Sequence, residues 1–156
     1  MMAMIKANSY GTGSFEIAQT LEHFKIDYLG VAYADEGVEL RKAGINLPIL
    51  VMNPEQSSYS SIVDFKLEPE IYSKRVLDLF IQKLKEKSIN IPFPIHLKID
   101  SGMNRLGFRK EELDELIEFL KNQKLVRVKS IFTHLATADV PEERDFALHQ
   151  LQNFDD

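Results

Sequence analysis

Apolar runs of strand length alternate with segments of helical period along this chain. Met2 to Ile5, Tyr28 to Ala32 and Ile49 to Met52 read as short strands, the last stopped by Asn53-Pro54. Between them, Ile17, Ala18, Leu21 and Phe24 form one stripe of a helix over Phe15 to Phe24. Asp35 stands where a helix cap is expected, with Glu36 and Glu39 early, Arg41 and Lys42 in the last turn and Gly44 just beyond. Glu55 to Ser61 is polar and serine-rich, which predicts a loop or one turn of helix, and Phe65 to Pro69 predicts a brief strand. Ser73 opens the clearest helix, with Val76, Leu77, Phe80, Ile81 and Leu84 on one face, and Asn90 to Pro94 breaks it. Ile95, Leu97 and Ile99 then alternate with His96, Lys98 and Asp100. Leu113, Leu116, Ile117 and Leu120 mark a helix, Val126 to Thr133 a strand, and Pro141 the start of a final helix that the chain end cuts short.

Strand and helix follow each other with no hairpin signal, which predicts a parallel sheet with helical crossovers, either doubly wound or a (β/α)8 TIM-barrel type. About six strand-helix units are present, short of a closed eight. His96, Lys98 and Asp100 favour the barrel, because both faces of a parallel strand are normally buried. Ionisable groups on such a face belong inside a barrel, near its working end.

Composition narrows the function classes. With 156 residues, 44% of them hydrophobic, one globular domain is expected. The 19 basic and 24 acidic side chains give a net charge of −5 with no block of like charge, so no nucleic-acid or membrane surface is expected and small-molecule chemistry is. The absence of cysteine rules out disulfides and thiolate zinc sites and fits a reducing compartment. Neither a signal-peptide pattern nor an apolar run of ~20 residues occurs, and a cytoplasmic location is expected.

Three stretches carry candidate chemistry. In Met2 to Gly13, Lys6 ends the first apolar run and a loop with two glycines and Tyr10 follows. A strand-end lysine can lay its stem on the core and its ammonium in water, or form a Schiff base with a carbonyl cofactor. The glycine loop is either a simple turn or an anion cradle before a helix. In His96 to Phe108, Arg105 is either a surface arginine or a fork for a carboxylate or phenolic oxygen, and Lys98 and Asp100 can form an internal ion pair. In Phe132 to Asp139, a strand ends in His134, a core histidine or a catalyst. No metal-ligand spacing, H-E-x-x-H or nucleophile elbow is present, so no metal site is expected.

Together, in this order, the stretches resemble the N-terminal barrel of the alanine racemase family. M-I-K-A-N-S-Y-G-T-G resembles its V-K-A-N-A-Y-G-H-G motif, L-K-I-D-S-G-M-N-R-L-G-F its K-x-D-T-G-M-x-R-L-G-F motif, and T-H-L-A-T-A-D its H-F-A-x-A-D motif. The resemblance implies that the chain is part of an N-terminal pyridoxal 5'-phosphate-binding barrel, in an isomerase that interconverts L-alanine and D-alanine and supplies D-alanine for peptidoglycan. It implies that Lys6 holds the cofactor and acts on one face of the substrate Cα, and that Tyr10 binds the phosphate. Arg105 would contact the cofactor's phenolic oxygen and the substrate carboxylate, Lys98 matches a lysine often carbamylated, and His134 would lie against the pyridine ring. Other racemases, barrel decarboxylases and a non-catalytic scaffold remain alternatives.

Thr12 and Asn104 depart from the family pattern, which often has histidine and glycine there. The resemblance also implies that two barrel strands, a C-terminal β domain and the opposite-face tyrosine of a homodimer partner lie outside this chain. An unclosed barrel is expected to expose strand edges and to lack racemase activity by itself.

Overall fold

The computed structural model describes residues 1–11 and 13–155; Thr12, one of the two departures from the family pattern, and Asp156 lie outside the described residues. The chain divides into two compact units, Met1–Glu70 with Leu79–Ile89, and Ile71–Asp78 with Asn90–Asp156. All ladders described below are parallel.

In the first unit, β1 (Met2–Met4) pairs with β2 (Tyr28–Val31), β2 with β3 (Ile49–Val51), and β3 with β4 (Glu68–Ile71), aligning Met2 with Tyr28, Leu29 with Ile49, and Leu50 with Glu68. The crossovers are α2 (Ser14–His23), α3 (Ala34–Lys42) and the short α4 (Tyr59–Asp64); α1, the segment Lys6–Gly11 that joins β1 to α2, has an unusual form described below. Leu29, Val31, Ile49, Leu50, Ile62 and Leu67 are buried and supply the core, as the near-continuous apolar runs of a parallel sheet require. Tyr59 packs edge-on against Phe80 at 5.4 Å between ring centroids. Arg41 donates to the carbonyls of Ile45 at 2.8 Å, Leu47 at 2.7 Å and Phe65 at 3.1 Å, so one guanidinium gathers two loop segments. Its burial pulls its pKa below the ordinary arginine value, and the carboxylates of Glu68 and Glu22 oppose that pull.

Two expectations are corrected in this unit. Asp35 is not the cap of α3: the helix starts at Ala34 behind an extended Tyr33, and Glu36 accepts the N–H groups of Ala32 at 2.7 Å and Tyr33 at 3.2 Å. The fourth strand runs over Glu68–Ile71 rather than Phe65 to Pro69. Phe65 and Lys66 still close the end of α4, with Lys66 at φ 51, and the strand's glutamates hide its apolar pattern. Glu68 is nonetheless buried and accepts the Tyr28 hydroxyl at 3.2 Å.

In the second unit, β5 (Phe93–Lys98) pairs with β6 (Val126–Phe132), with a register shift between Ile95 and His96. The helices are α6 (Leu113–Asn122) and α7 (Arg144–Asp155), the latter preceded by a 3-10 turn at Pro141–Glu143. The division between units falls within α5 (Lys74–Glu86), whose Lys74 places its ammonium 3.9 Å from the Phe119 ring centroid. Residues 95–98 are buried on both faces, whereas β6 beyond Val126 is mostly exposed. Among the described residues no helix is long and apolar enough to cross a membrane, and no group of three or more metal-ligating side chains occurs.

Candidate functional site

Lys6 is set at the carboxyl end of β1 by Ile5, which is buried and donates its N–H to Gly30 at 2.8 Å. Its own side chain is exposed. The glycine loop expected here is a turn of left-handed helix: Ala7, Asn8, Ser9 and Tyr10 have φ of 51, 53, 51 and 56° with ψ between 33 and 52°. For L-residues that hand costs roughly 1–2 kcal/mol each, so four in succession need specific compensation. Backbone bonds supply part, from Ser9 N–H to Ile5 O at 3.2 Å and from Gly13 N–H to Asn8 O at 3.1 Å. Asn8 Oδ1 accepts the Ser14 N–H at 2.9 Å, joining the turn to α2. Glu36 adds a further bond, since its Oε1 accepts the Ala7 N–H at 2.7 Å while Oε2 holds Ala32 and Tyr33. One carboxylate therefore fastens the residue after Lys6 to the end of β2. Tyr10 leaves the same turn 67% exposed.

Arg105 is carried by a loop whose base is closed by two backbone bonds, Asp100 N–H to Phe108 O at 2.9 Å and Phe108 N–H to Lys98 O at 2.8 Å. Gly107 makes this closure feasible: with φ at +135° its missing Cβ would stand 2.4 Å from Asp100 N. Asp100 Oδ1 accepts the N–H groups of Gly102 and Asn104, each at 3.0 Å, so this carboxylate ties down the turn. Asn104 has φ of 56°, a region that asparagine tolerates better than most residues other than glycine, which accounts for its place in a motif that often has glycine. Lys98 is buried, with its ammonium 5.8 Å from the Phe132 ring centroid, and His96 meets the Ser130 hydroxyl at 2.7 Å. Both therefore lie on a buried face of β5, as the alternation requires.

His134 follows β6 with its ring exposed and its backbone fixed from α7. Gln150, fully buried, donates from Nε2 to the His134 carbonyl at 3.2 Å and to Ser101 Oγ at 3.4 Å, and accepts the Ala136 N–H at 2.8 Å. Asn153 donates to the Ser101 carbonyl at 3.0 Å, and Ser101 Oγ meets Thr133 Oγ1 at 2.8 Å. The anchoring roles of Glu36, Gln150 and Asn153 lie outside the three motif stretches. The available signal was a glutamine spaced at helical intervals between Phe146 and Phe154, an apolar stripe interrupted by an amide.

Lys6 and Tyr10 thus belong to the first unit and Lys98, Arg105 and His134 to the second. By chemistry, the first unit offers an exposed amine and a phenol, which suit an aldehyde and an anionic oxygen, and the second offers a guanidinium and an imidazole, which suit an anionic oxygen and an aromatic ring. A cavity of about 760 Å³ in the second unit is lined by Leu97, Leu113, Leu116, Leu120, Ile131 and Phe154 among others, and includes none of Lys98, Arg105 and His134.

The family model "Alanine racemase, N-terminal domain" matches residues 1–156. Among curated relatives, the alanine racemase of Nostoc sp. is 36% identical over 91% of this chain and 37% of that protein, and alanine racemase 2 of Bacillus subtilis is 40% identical over 98% and 39%. Among solved structures, alanine racemase of Clostridium difficile 630 superposes with a TM-score of 0.90 at 35% identity, covering 99% of this chain and 40% of that one. The enzyme from E. faecalis gives 0.87 at 32%, covering 98% and 41%. The chain therefore spans about 40% of the length of the proteins it matches. Its fold class is α/β of the TIM-barrel type, present as an incomplete set of β/α units.

Proposed function

The chain belongs to the alanine racemase N-terminal domain family, and from that premise we propose that it is the cofactor-lysine portion of a pyridoxal-phosphate-dependent racemase that interconverts L-alanine and D-alanine. The observation that carries this reading is the mounting of Lys6: an exposed amine at a strand end, followed by a left-handed turn that Glu36 holds in place. Such a turn is costly, and costly backbone is kept where it serves a ligand.

Pyridoxal phosphate, when bound, supplies an electron sink that makes the Cα proton of an amino acid removable. Lys6 would hold the cofactor's aldehyde carbon and then, as a neutral amine, take or return the proton on one face of Cα. Tyr10 would donate its hydroxyl to the phosphate. Arg105 would present its fork to the phenolic oxygen and the substrate carboxylate, and His134 would stack on the ring. Lys98, carbamylated or not, would act on Arg105. Racemisation needs a second acid/base group on the opposite face. Of the tyrosines Tyr28, Tyr33, Tyr59 and Tyr72, none stands in a motif that gives it that role. The reading therefore includes a homodimer of the full-length protein, D-alanine supply for peptidoglycan, a cytoplasmic location, and no turnover by these 156 residues alone.

The test is direct. Pyridoxal phosphate added to the folded chain should raise a visible absorption band that borohydride fixes covalently to Lys6, as read by peptide mass, and Lys6→Ala should abolish it. Chiral chromatography of alanine incubated with the same sample should show no racemisation. A folded chain that gives no band sinks the cofactor reading, and turnover by the isolated chain sinks the claim of inactivity.

A further inference from the structure

Gln150 is the one residue of α7 that is buried, and an amide in such a position is expensive unless every polar atom is satisfied. Its contacts satisfy the side chain and divide between two segments. On one side Nε2 reaches Ser101 Oγ at 3.4 Å, with Gln150 Cγ 3.5 Å from where a Cβ of Gly102 would be. Nε2 also reaches the His134 carbonyl at 3.2 Å, and Oε1 takes the Ala136 N–H at 2.8 Å, gripping the backbone on both flanks of Leu135. Asn153, on the next turn of α7, adds the bond to the Ser101 carbonyl at 3.0 Å. From Ser101 to Arg105 the chain has little slack, because Asp100 already ties down the N–H groups of Gly102 and Asn104.

We propose that Gln150 is a positioning residue for cofactor binding: from α7 it fixes, through one amide, both the turn that leads to Arg105 and the turn that carries His134. This inference rests on the cofactor reading above. An apolar side chain of similar volume would fill the same space, so packing alone does not call for glutamine; the backbone groups of two loops do.

The test uses the 156-residue chain and Gln150→Met, which keeps the volume and removes the bonds. In the cofactor-free chain, exchange of the Ala136 amide should accelerate about tenfold, the loss expected from one hydrogen bond. With pyridoxal phosphate, the borohydride-fixed label on Lys6 should persist, because Lys6 lies outside the network. The cofactor Kd, from titration of the absorption band, should rise about tenfold, and the visible circular dichroism of the band should lose amplitude. Unchanged Ala136 exchange, or a Kd within about twofold of wild type with an unaltered dichroic band, overturns the positioning role and leaves the cofactor reading standing. Absence of any band in the wild type overturns both. Should Gln150→Met fail to fold, Asn153→Ala decides: it removes the bond to the Ser101 carbonyl and a contact with His149 Nδ1 on α7 itself, and should weaken cofactor binding about threefold, while an unchanged Kd overturns the role of this network.

Discussion

Gly107 occupies a position where a single methyl group would collide with backbone, 2.4 Å from Asp100 N and 2.7 Å from the Ile99 carbonyl carbon. Backbone cannot swing aside as a flexible side chain can, and φ of +135° is strained for any other residue. Gly107→Ala should therefore lower the unfolding free energy by about 2 kcal/mol or more, read from urea denaturation. It should also open the bonds between Phe108 and residues 98 and 100, freeing the loop that bears Arg105. Asn104 makes the contrasting case, since its left-handed φ is one that its residue type tolerates. A departure from the motif at 104 thus leaves the turn intact, whereas one at 107 would not.

Among the elements, those with clean periodicity were legible from the chain alone. β1, β2, β3, β5 and β6 came from apolar runs or alternation, and α2, α5 and α6 from apolar stripes. The left-handed turn was not legible, because a helix of either hand has the same residue period and a pattern of apolar positions carries no chirality. β4 starts three residues later than the apolar pattern predicts because Glu68 and Glu70 are buried, and burial of a carboxylate follows from its neighbours, not from its own polarity. Gln150 was missed for the same reason: an amide on a helix looks solvated until the backbone groups that need it are known. Lys6, Arg105 and His134 were visible as motif residues, while the groups that fasten their backbones were not. The turn after Lys6 offers a test at this scale. Glu36→Gln keeps the shape but replaces one accepting oxygen with a donor, so either Ala7 or the pair Ala32 and Tyr33 loses its partner. The expected outcome is a loss of about 1–3 kcal/mol in denaturant unfolding, with faster exchange at those amides. Unchanged exchange at Ala7 and Ala32 would show that the carboxylate does not hold the turn.

At the scale of the whole chain, the exposed part of β6 bears on association. One edge of β6 pairs with β5, and no ladder forms on its other edge among the described residues. Ile131 is 56% exposed and Val128 39%, a combination of open hydrogen-bonding groups and apolar side chains that invites pairing with another chain. Sedimentation should show association that grows with concentration, and the double change Val128→Lys with Ile131→Lys should suppress it; a wild-type chain that stays monomeric across the range contradicts this. The fastening by Gln150 has a further bearing on how such a chain is made and cut. During synthesis, Arg105 and His134 emerge before α7 does, so both stretches are on hand while the amide that secures them is still unmade. A shorter version ending near Val140 would retain the three stretches that carry Lys6, Arg105 and His134. It would nevertheless leave the Ala136 N–H and the His134 carbonyl without the partner that orders them.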